Sequence, residues 1–221
     1  MSGVLFDVDG TLVDTNYLHA VTWLEALRQA GYTVPAARIH RGVGMGTDKL
    51  LDHLLGTDRD RSGDDALSGA HLALYATYWQ RLRALPGAGD LLRACAARRL
   101  RVVLASSASE RELAVLRTAL DADDVVHTAT SASDAAASKP DPDILGTAMR
   151  AAGLDAGRAL LVGDSVWDVY AAERAGLPCI GLTCGGTSAA ELREAGAVET
   201  YDDPAALHEA LDRSAIGKLG S

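Results

Sequence analysis

The sequence predicts an α/β fold, a Rossmann-like parallel sheet with helices on both faces, interrupted by an inserted small α-helical unit. Three observations predict it. After residue 85, short apolar runs alternate with amphipathic stretches of helical period, the pattern of strands buried on both faces and joined by helices. A first apolar run, Val4-Leu5-Phe6, stands apart from the rest, and the segment between has helical spacing only. The chain holds a single Phe; alanine and leucine supply much of its apolar surface, which favours helices packed on a sheet.

The elements follow in order. Val4-Leu5-Phe6 is the first strand. From Thr15 to about Leu82 apolar residues recur at helical spacing, as in Val21, Leu24 and Leu27, and the polar segment 56–63 separates two helical patterns. Four further strands are expected at Val102–Ala105, Val125–Val126, Ala159–Val162 and Cys179–Leu182. Helices are expected at 87–98, 109–120, 141–152, 166–175 and 188–195. The domain reading is a core of residues 1–14 and 83–221 with a helical cap of residues 15–82. The C-terminal GKLGS reads as a frayed tail, and Ala135-Ala136-Ala137 as a small biased patch.

Bulk properties narrow the function. The 221 residues carry a formal net charge of -9, which argues against nucleic acid as a partner, since phosphate backbones are held by clustered Lys and Arg. Cys95, Cys179 and Cys184 lack metal-type spacing and read as reduced thiols of a cytoplasmic protein. No apolar run approaches the roughly 18 residues of a membrane helix, and MSGVLFDVDG does not read as a secretory leader. A monomer or weak homodimer is expected.

Four short segments share one position, the C-terminal end of an expected strand, where ligands bind in open parallel sheets. Asp7 and Asp9 in DVDGT fall on one side of the chain by alternation. Two close carboxylates need a cation between them, or a proton on one. A metal-neutralised carboxylate can attack phosphorus, and a carboxyl of raised pKa can protonate a leaving group. Gly10 allows a sharp turn after the pair. Ser106 and Ser107 end the second strand before a helix whose amides and dipole favour a phosphate. Lys139 in SKPDPD is directed by the following proline and can neutralise the carboxylates. Asp164 and Asp168 in GDSVWD lie one helical turn apart and can face one cation, and hard oxygen donors suit Mg²⁺. Each segment also has a structural explanation: an Asp-Gly turn, serine helix caps, a surface lysine, an Asp164 N-cap.

Together and in this order, DVDGT, a strand ending in serine, KPDPD and GDSVWD resemble the motif set of the haloacid dehalogenase superfamily, from Asp7 to about Leu211. The resemblance implies that Asp7 is the nucleophile and Asp9 the general acid and base. Ser106 would bind the phosphoryl oxygens and Lys139 would stabilise a phosphoaspartate. Asp164 would ligate Mg²⁺ with Asp7 and the backbone carbonyl of Asp9, and Asp168 would support the metal's waters. An aspartate two residues after the nucleophile points to phosphoesters, because a carbon–halogen bond needs no leaving-group proton.

The helical insertion resembles the family's small cap, with hinges at Asp14-Thr15 and Leu85-Pro86-Gly87. Gly10, Thr11, Ser107, His19 and Arg41 are expected substrate contacts, with Trp23, four residues after His19 on one helical face, as core or contact. His19 and Thr15 also resemble positions of the β-phosphoglucomutases, but Met45 stands where that pattern has an arginine for the distal phosphate. The expected activity is therefore hydrolysis of a small phosphorylated metabolite, such as a sugar phosphate or phosphoglycolate. The alternatives are a phosphosugar mutase and a non-catalytic binding protein.

Overall fold

The computed structural model describes residues 1–134 and 137–219; Ala135 and Ala136 of the alanine patch and the final Gly220-Ser221 lie outside the described residues. Six parallel strands form one sheet in the order β3-β2-β1-β4-β5-β6: β1 Gly3–Phe6, β2 Arg101–Ala105, β3 Val126–Thr130, β4 Ala159–Gly163, β5 Cys179–Leu182 and β6 Glu199–Tyr201. β1 is central, pairing with β2 on one side (Phe6 opposite Leu104) and β4 on the other (Phe6 opposite Val162).

The central strands are apolar along their whole length because both faces are covered. Alternation sends Val4, Phe6, Val102, Leu104, Leu160 and Val162 to one face. There they pack on α5 (Ala88–Ala97) and α6 (Glu110–Leu120) through Leu91, Leu92, Leu113 and Leu116. Leu5, Val103, Ala105 and Leu161 go to the other face. That face is covered by α7 (Asp143–Ala151), α8 (Val166–Arg174) and α9 (Ala189–Ala195) through Ile144, Leu145, Val169 and Leu192. Helices 5 to 9 begin and end within two residues of the sequence expectation, and Ser109, Ser165 and Ser188 fix the starts of α6, α8 and α9 by closing a capping box.

Three expectations need correction. The strand expected at Val125–Val126 runs Val126–Thr130, and its polar sequence VHTAT hides it. β6, Glu-Thr-Tyr at the sheet edge, was not expected at all. The tail is not frayed through Leu219: after α10 (Pro204–Glu209), α11 (Ala215–Leu219) buries Ile216 completely.

Between β1 and α5 lie α1 (Asn16–Gln29), α2 (Ala36–Gly42), α3 (Thr47–Leu55) and α4 (Asp64–Ala76). They enclose a core of their own, with Trp23, Leu27, Ile39, Leu51 and Leu67. The turn expected at 56–63 is tied by Arg59, which bridges Asp52 and Asp64. The buried face of α1 differs from the expected stripe: Val21 is 52% and Leu24 36% exposed, whereas Ala20, Trp23, Ala26 and Leu27 turn inward. The two chain segments joining this layer to the sheet run side by side. Asp14 N–H donates to Arg83 and Leu85 N–H to Leu12. All three cysteines are free, and among the described residues no helix is long and apolar enough to cross a membrane.

Candidate active site

The strand order places the site. From β1 the chain goes outward to β2 and β3, then returns to the other side of β1 for β4 to β6. Connections on the two sides therefore diverge above the carboxyl ends of β1 and β4, leaving a crevice there. The Asp7 N–H donates to the Val162 carbonyl at 2.9 Å, so Asp7 leaves β1 beside the tip of β4, where Asp164 follows Gly163.

Asp7, Asp164 and Asp168 converge, with one carboxylate oxygen from each within 4.8 Å of the others. Asp7 is only 6% exposed. Lys139, fully buried rather than on the surface, puts its Nζ 2.5 Å from Asp7 Oδ1 and 2.8 Å from Asp168 Oδ1. Asp164 does not cap α8; Ser165 does, with Asp168 closing the box. The Asp164 oxygens instead accept from Thr11 Oγ1 at 2.9 Å and Asn16 Nδ2 at 2.7 Å.

The electrostatics follow from crowding. Burial, partly opposed by Lys139 and reinforced by Asp168 and Asp9, pushes the Asp7 carboxyl up to about 7. Burial, with Asp168 and Asp7 adding to it, holds Asp164 well above the ordinary carboxylate range. For Lys139 burial acts against its charge, but Asp168 and Asp7 outweigh it and raise its pKa. One ammonium does not balance these carboxylates, so the three-oxygen cradle fits a hard divalent cation such as Mg²⁺.

The Asp9 side chain turns away from this trio. Its Oδ1 accepts from Thr15 Oγ1 at 2.8 Å and lies 3.2 Å from His19 Nε2. Burial would raise its pKa, but the hydrogen bond and charge of His19 and the Thr15 hydroxyl outweigh it and lower it. His19 Nδ1 in turn lies 3.2 Å from His71 Nε2. Burial, then His19, drives the His71 pKa down to about 2, so this imidazole stays neutral while stacked on Trp23 at 4.1 Å.

A cavity of about 280 Å³ opens over Asp7 and Asp9 between the helical layer and the sheet edge. Ser107, His19 and Trp23 line it, joined by Met45, Thr47 and Ser68. Ser107 Oγ is buried and bonded to no protein group. Ser106 lies fully buried beneath it, its Oγ accepting the Ala108 N–H at 3.0 Å.

Three expected substrate contacts lie elsewhere. Thr11 is fully buried and its hydroxyl serves Asp164 and Asp7 instead. Gly10 adopts φ +75 to turn the chain, and a Cβ there would strike Asn16. Arg41 points outward and pairs with Glu191 at 2.6 Å, because its helix presents Ile39 to the core and Arg41 to the far side. Sequence reasoning missed Asn16, His71 and Glu112. Only Glu112 carried a signal, the S-x-x-E capping box, and that pattern speaks of helix starts, not of cavities.

Residues 1–176 match the family described as haloacid dehalogenase-like hydrolase. The phosphoglycolate phosphatase of Rhodospirillum rubrum is 30% identical over 221 aligned positions, covering 94% of this chain and 90% of the relative. A hydrolase from Pseudomonas syringae superposes with a TM-score of 0.91 at 32% identity, covering 96% and 99% of the two chains. The β-phosphoglucomutase of Clostridium difficile shares the fold, at a TM-score of 0.83 and 17% identity over 99% and 98%. The carboxylate crevice at the β1–β4 switch point thus sits on a scaffold matched from end to end, and the chain belongs to the haloacid dehalogenase-like hydrolases.

Proposed function

We propose that this protein hydrolyses the phosphomonoester of a small metabolite through an aspartyl phosphate on Asp7, with Mg²⁺ held by Asp7, Asp164 and Asp168. The observation that carries the reading is the meeting of those three carboxylates with the buried ammonium of Lys139. Phosphoryl transfer needs alignment and charge neutralisation above all, and kinship with phosphoglycolate phosphatases supports the reaction class.

Asp7 attacks phosphorus, and the bond to the ester oxygen breaks as the Asp9–His19 pair gives a proton to the departing alkoxide. Asp9 then takes a proton from water, whose oxygen attacks the same phosphorus. Inorganic phosphate leaves and the Asp7 carboxylate is restored. Lys139 neutralises Asp7 throughout, and Ser106 and Ser107 at the tip of β2 hold the phosphoryl oxygens. The bound cation supplies charge neutralisation for the attacking carboxylate and the phosphoryl oxygens. Residues 15–82 act as a cap that closes over the crevice and excludes water.

Hydrolysis is favoured over the mutase reading because a mutase holds a bisphosphate by both ends, and among the described residues neither Lys nor Arg lines the cavity as a second cationic seat. The test is incubation with β-glucose 1-phosphate and a trace of bisphosphate: free phosphate is expected, and glucose 6-phosphate would reverse the reading. Acid quench with a ³²P-labelled substrate should trap label on the protein that is labile to hydroxylamine and lost in Asp7→Asn. Label persisting in that variant would refute Asp7 as nucleophile.

A further inference from the structure

The cavity over Asp7 has a charge pattern that the hydrolytic chemistry does not explain. Among the described residues, neither Lys nor Arg lines it. Its far wall is apolar, built from Val43, Met45, Leu50 and Leu72, and its charged member away from the reacting carboxylates is Glu112. Glu112 is not a loose surface acid. As third residue of α6 it accepts the Ser109 N–H at 2.9 Å and the Ser109 hydroxyl at 2.6 Å through Oε2, which pins its charge at the wall.

The cavity continues outward through Thr47, Ser68, Ser107 and Ala132, which it shares with a mouth of about 520 Å³. That mouth is lined by Asp48, Asp64 and Asp65, and again by no Lys or Arg among the described residues. Lys49, the basic residue beside it in sequence, is engaged with Asp141 at 2.7 Å. His71, the deepest imidazole, stays neutral because of its burial. Beyond the transferred phosphoryl group and the Asp9–His19 pair, the fixed charges lining the path are those of Glu112, Asp48, Asp64 and Asp65, of which Asp64 is paired with Arg59.

We propose that the alcohol half of the substrate bears no second anionic group, and that Glu112 enforces this by repelling carboxylates and phosphates. This rests on the phosphatase reading above and narrows it to uncharged or ammonium-bearing leaving groups. It also separates this chain's substrate from the phosphoglycolate named for its relatives. A like charge close by in a partly desolvated cavity costs several-fold to many-fold in binding, whereas a hydroxyl or ammonium group meets Glu112, Thr47 and Ser68 as partners.

Three esters of matched size test it: 2-phosphoglycolate, 2-hydroxyethyl phosphate and phosphoethanolamine, which differ in one terminal group. In Mg²⁺, kcat/KM for the second and third should exceed that for the first by about tenfold or more. Glu112→Gln keeps the capping geometry and should raise the ratio of 2-phosphoglycolate to 2-hydroxyethyl phosphate turnover about tenfold. Turnover led by 2-phosphoglycolate would overturn this proposal while leaving the phosphatase reading intact. Silence toward all three and toward para-nitrophenyl phosphate would overturn both. An unchanged ratio in Glu112→Gln would remove Glu112 from the account, and the wild-type series decides the substrate class without any variant.

Discussion

Asn16, the first residue of α1, donates its side-chain amide to Asp164 Oδ2 at 2.7 Å and to the Gly185 carbonyl at 3.0 Å. One residue at the entry to the helical layer thereby orients a carboxylate of the sheet crevice. Asn16→Ala should weaken Mg²⁺ by roughly 10–100-fold, the usual cost of losing a group that orients a ligand. The half-saturation of activity by Mg²⁺ measures it, and an unchanged value would detach Asn16 from the cation.

Asp7→Asn should abolish phosphate release while leaving far-UV circular dichroism unchanged, since an amide of equal size replaces the attacking oxygen. EDTA should silence the wild type and Mg²⁺ should restore it. Wild-type turnover in EDTA would mean that the carboxylate trio needs no cation.

Lys139 is the ammonium between Asp7 and Asp168, fully out of water. Lys139→Met leaves buried carboxylates without their partner, a loss of about 3–5 kcal/mol when one member of a buried pair is removed. Urea unfolding in EDTA reads this directly, and a loss under about 1 kcal/mol would mean that water or protons already compensate.

The raised carboxyls make the cation-free protein sensitive to pH. A group whose pKa is raised on folding binds more protons folded than unfolded, so its stabilising contribution is complete below the unfolded value and lost as pH rises through the folded one. For Asp7 that window runs from 3.8 to about 7, and Asp164 shifts in the same direction. Melting temperature in EDTA should fall from pH 5 to pH 8 by roughly 4–8 °C, equivalent to about 2 kcal/mol in a chain of this size. Mg²⁺ should flatten the profile, and Asp164→Asn should flatten it without Mg²⁺. A rise with pH in EDTA would contradict the assignment.

Gly44 in the α2–α3 loop has φ +101, and a Cβ there would lie 2.7 Å from Ser165 Oγ. The same loop reaches the other core loop, with Gly46 N–H donating to Lys139 O at 3.4 Å. Gly44→Ala should therefore hold the helical layer off the crevice. A kcat/KM lowered about tenfold or more is expected, together with a melting temperature lowered by the strain of an L side chain at positive φ; unaltered kinetics would show that this contact is not needed for closure.

Much of this was legible in the chain itself. The short continuous apolar runs around Leu5, Val103 and Leu161, buried on both faces, and the serine capping boxes at Ser109, Ser165 and Ser188 are local patterns, so strand and helix positions followed from short stretches. The DVDGT and GDSVWD segments identified the reacting carboxylates because each follows a strand directly, whereas Lys139 stands nine residues beyond the end of β3 and reaches Asp7 and Asp168 from a loop. Helix face and direction were less legible: Val21 and Leu24 are apolar yet face outward, because the small Ala20 and Ala26 let the layer pack closely on the other side.

What the sequence determined by itself was the set of charges and their order, since covalent spacing alone puts Asp7 and Asp9 after β1 and Asp164 after β4. Only the tertiary structure decided which charges meet. Strand order makes β1 and β4 neighbours, so Asp7 and Asp164 meet across more than 150 residues, while Arg41, though near in sequence to the cavity loop, is carried outward to Glu191. Proximity across a sheet depends on hydrogen-bond pairing between distant segments, and no local pattern encodes that pairing.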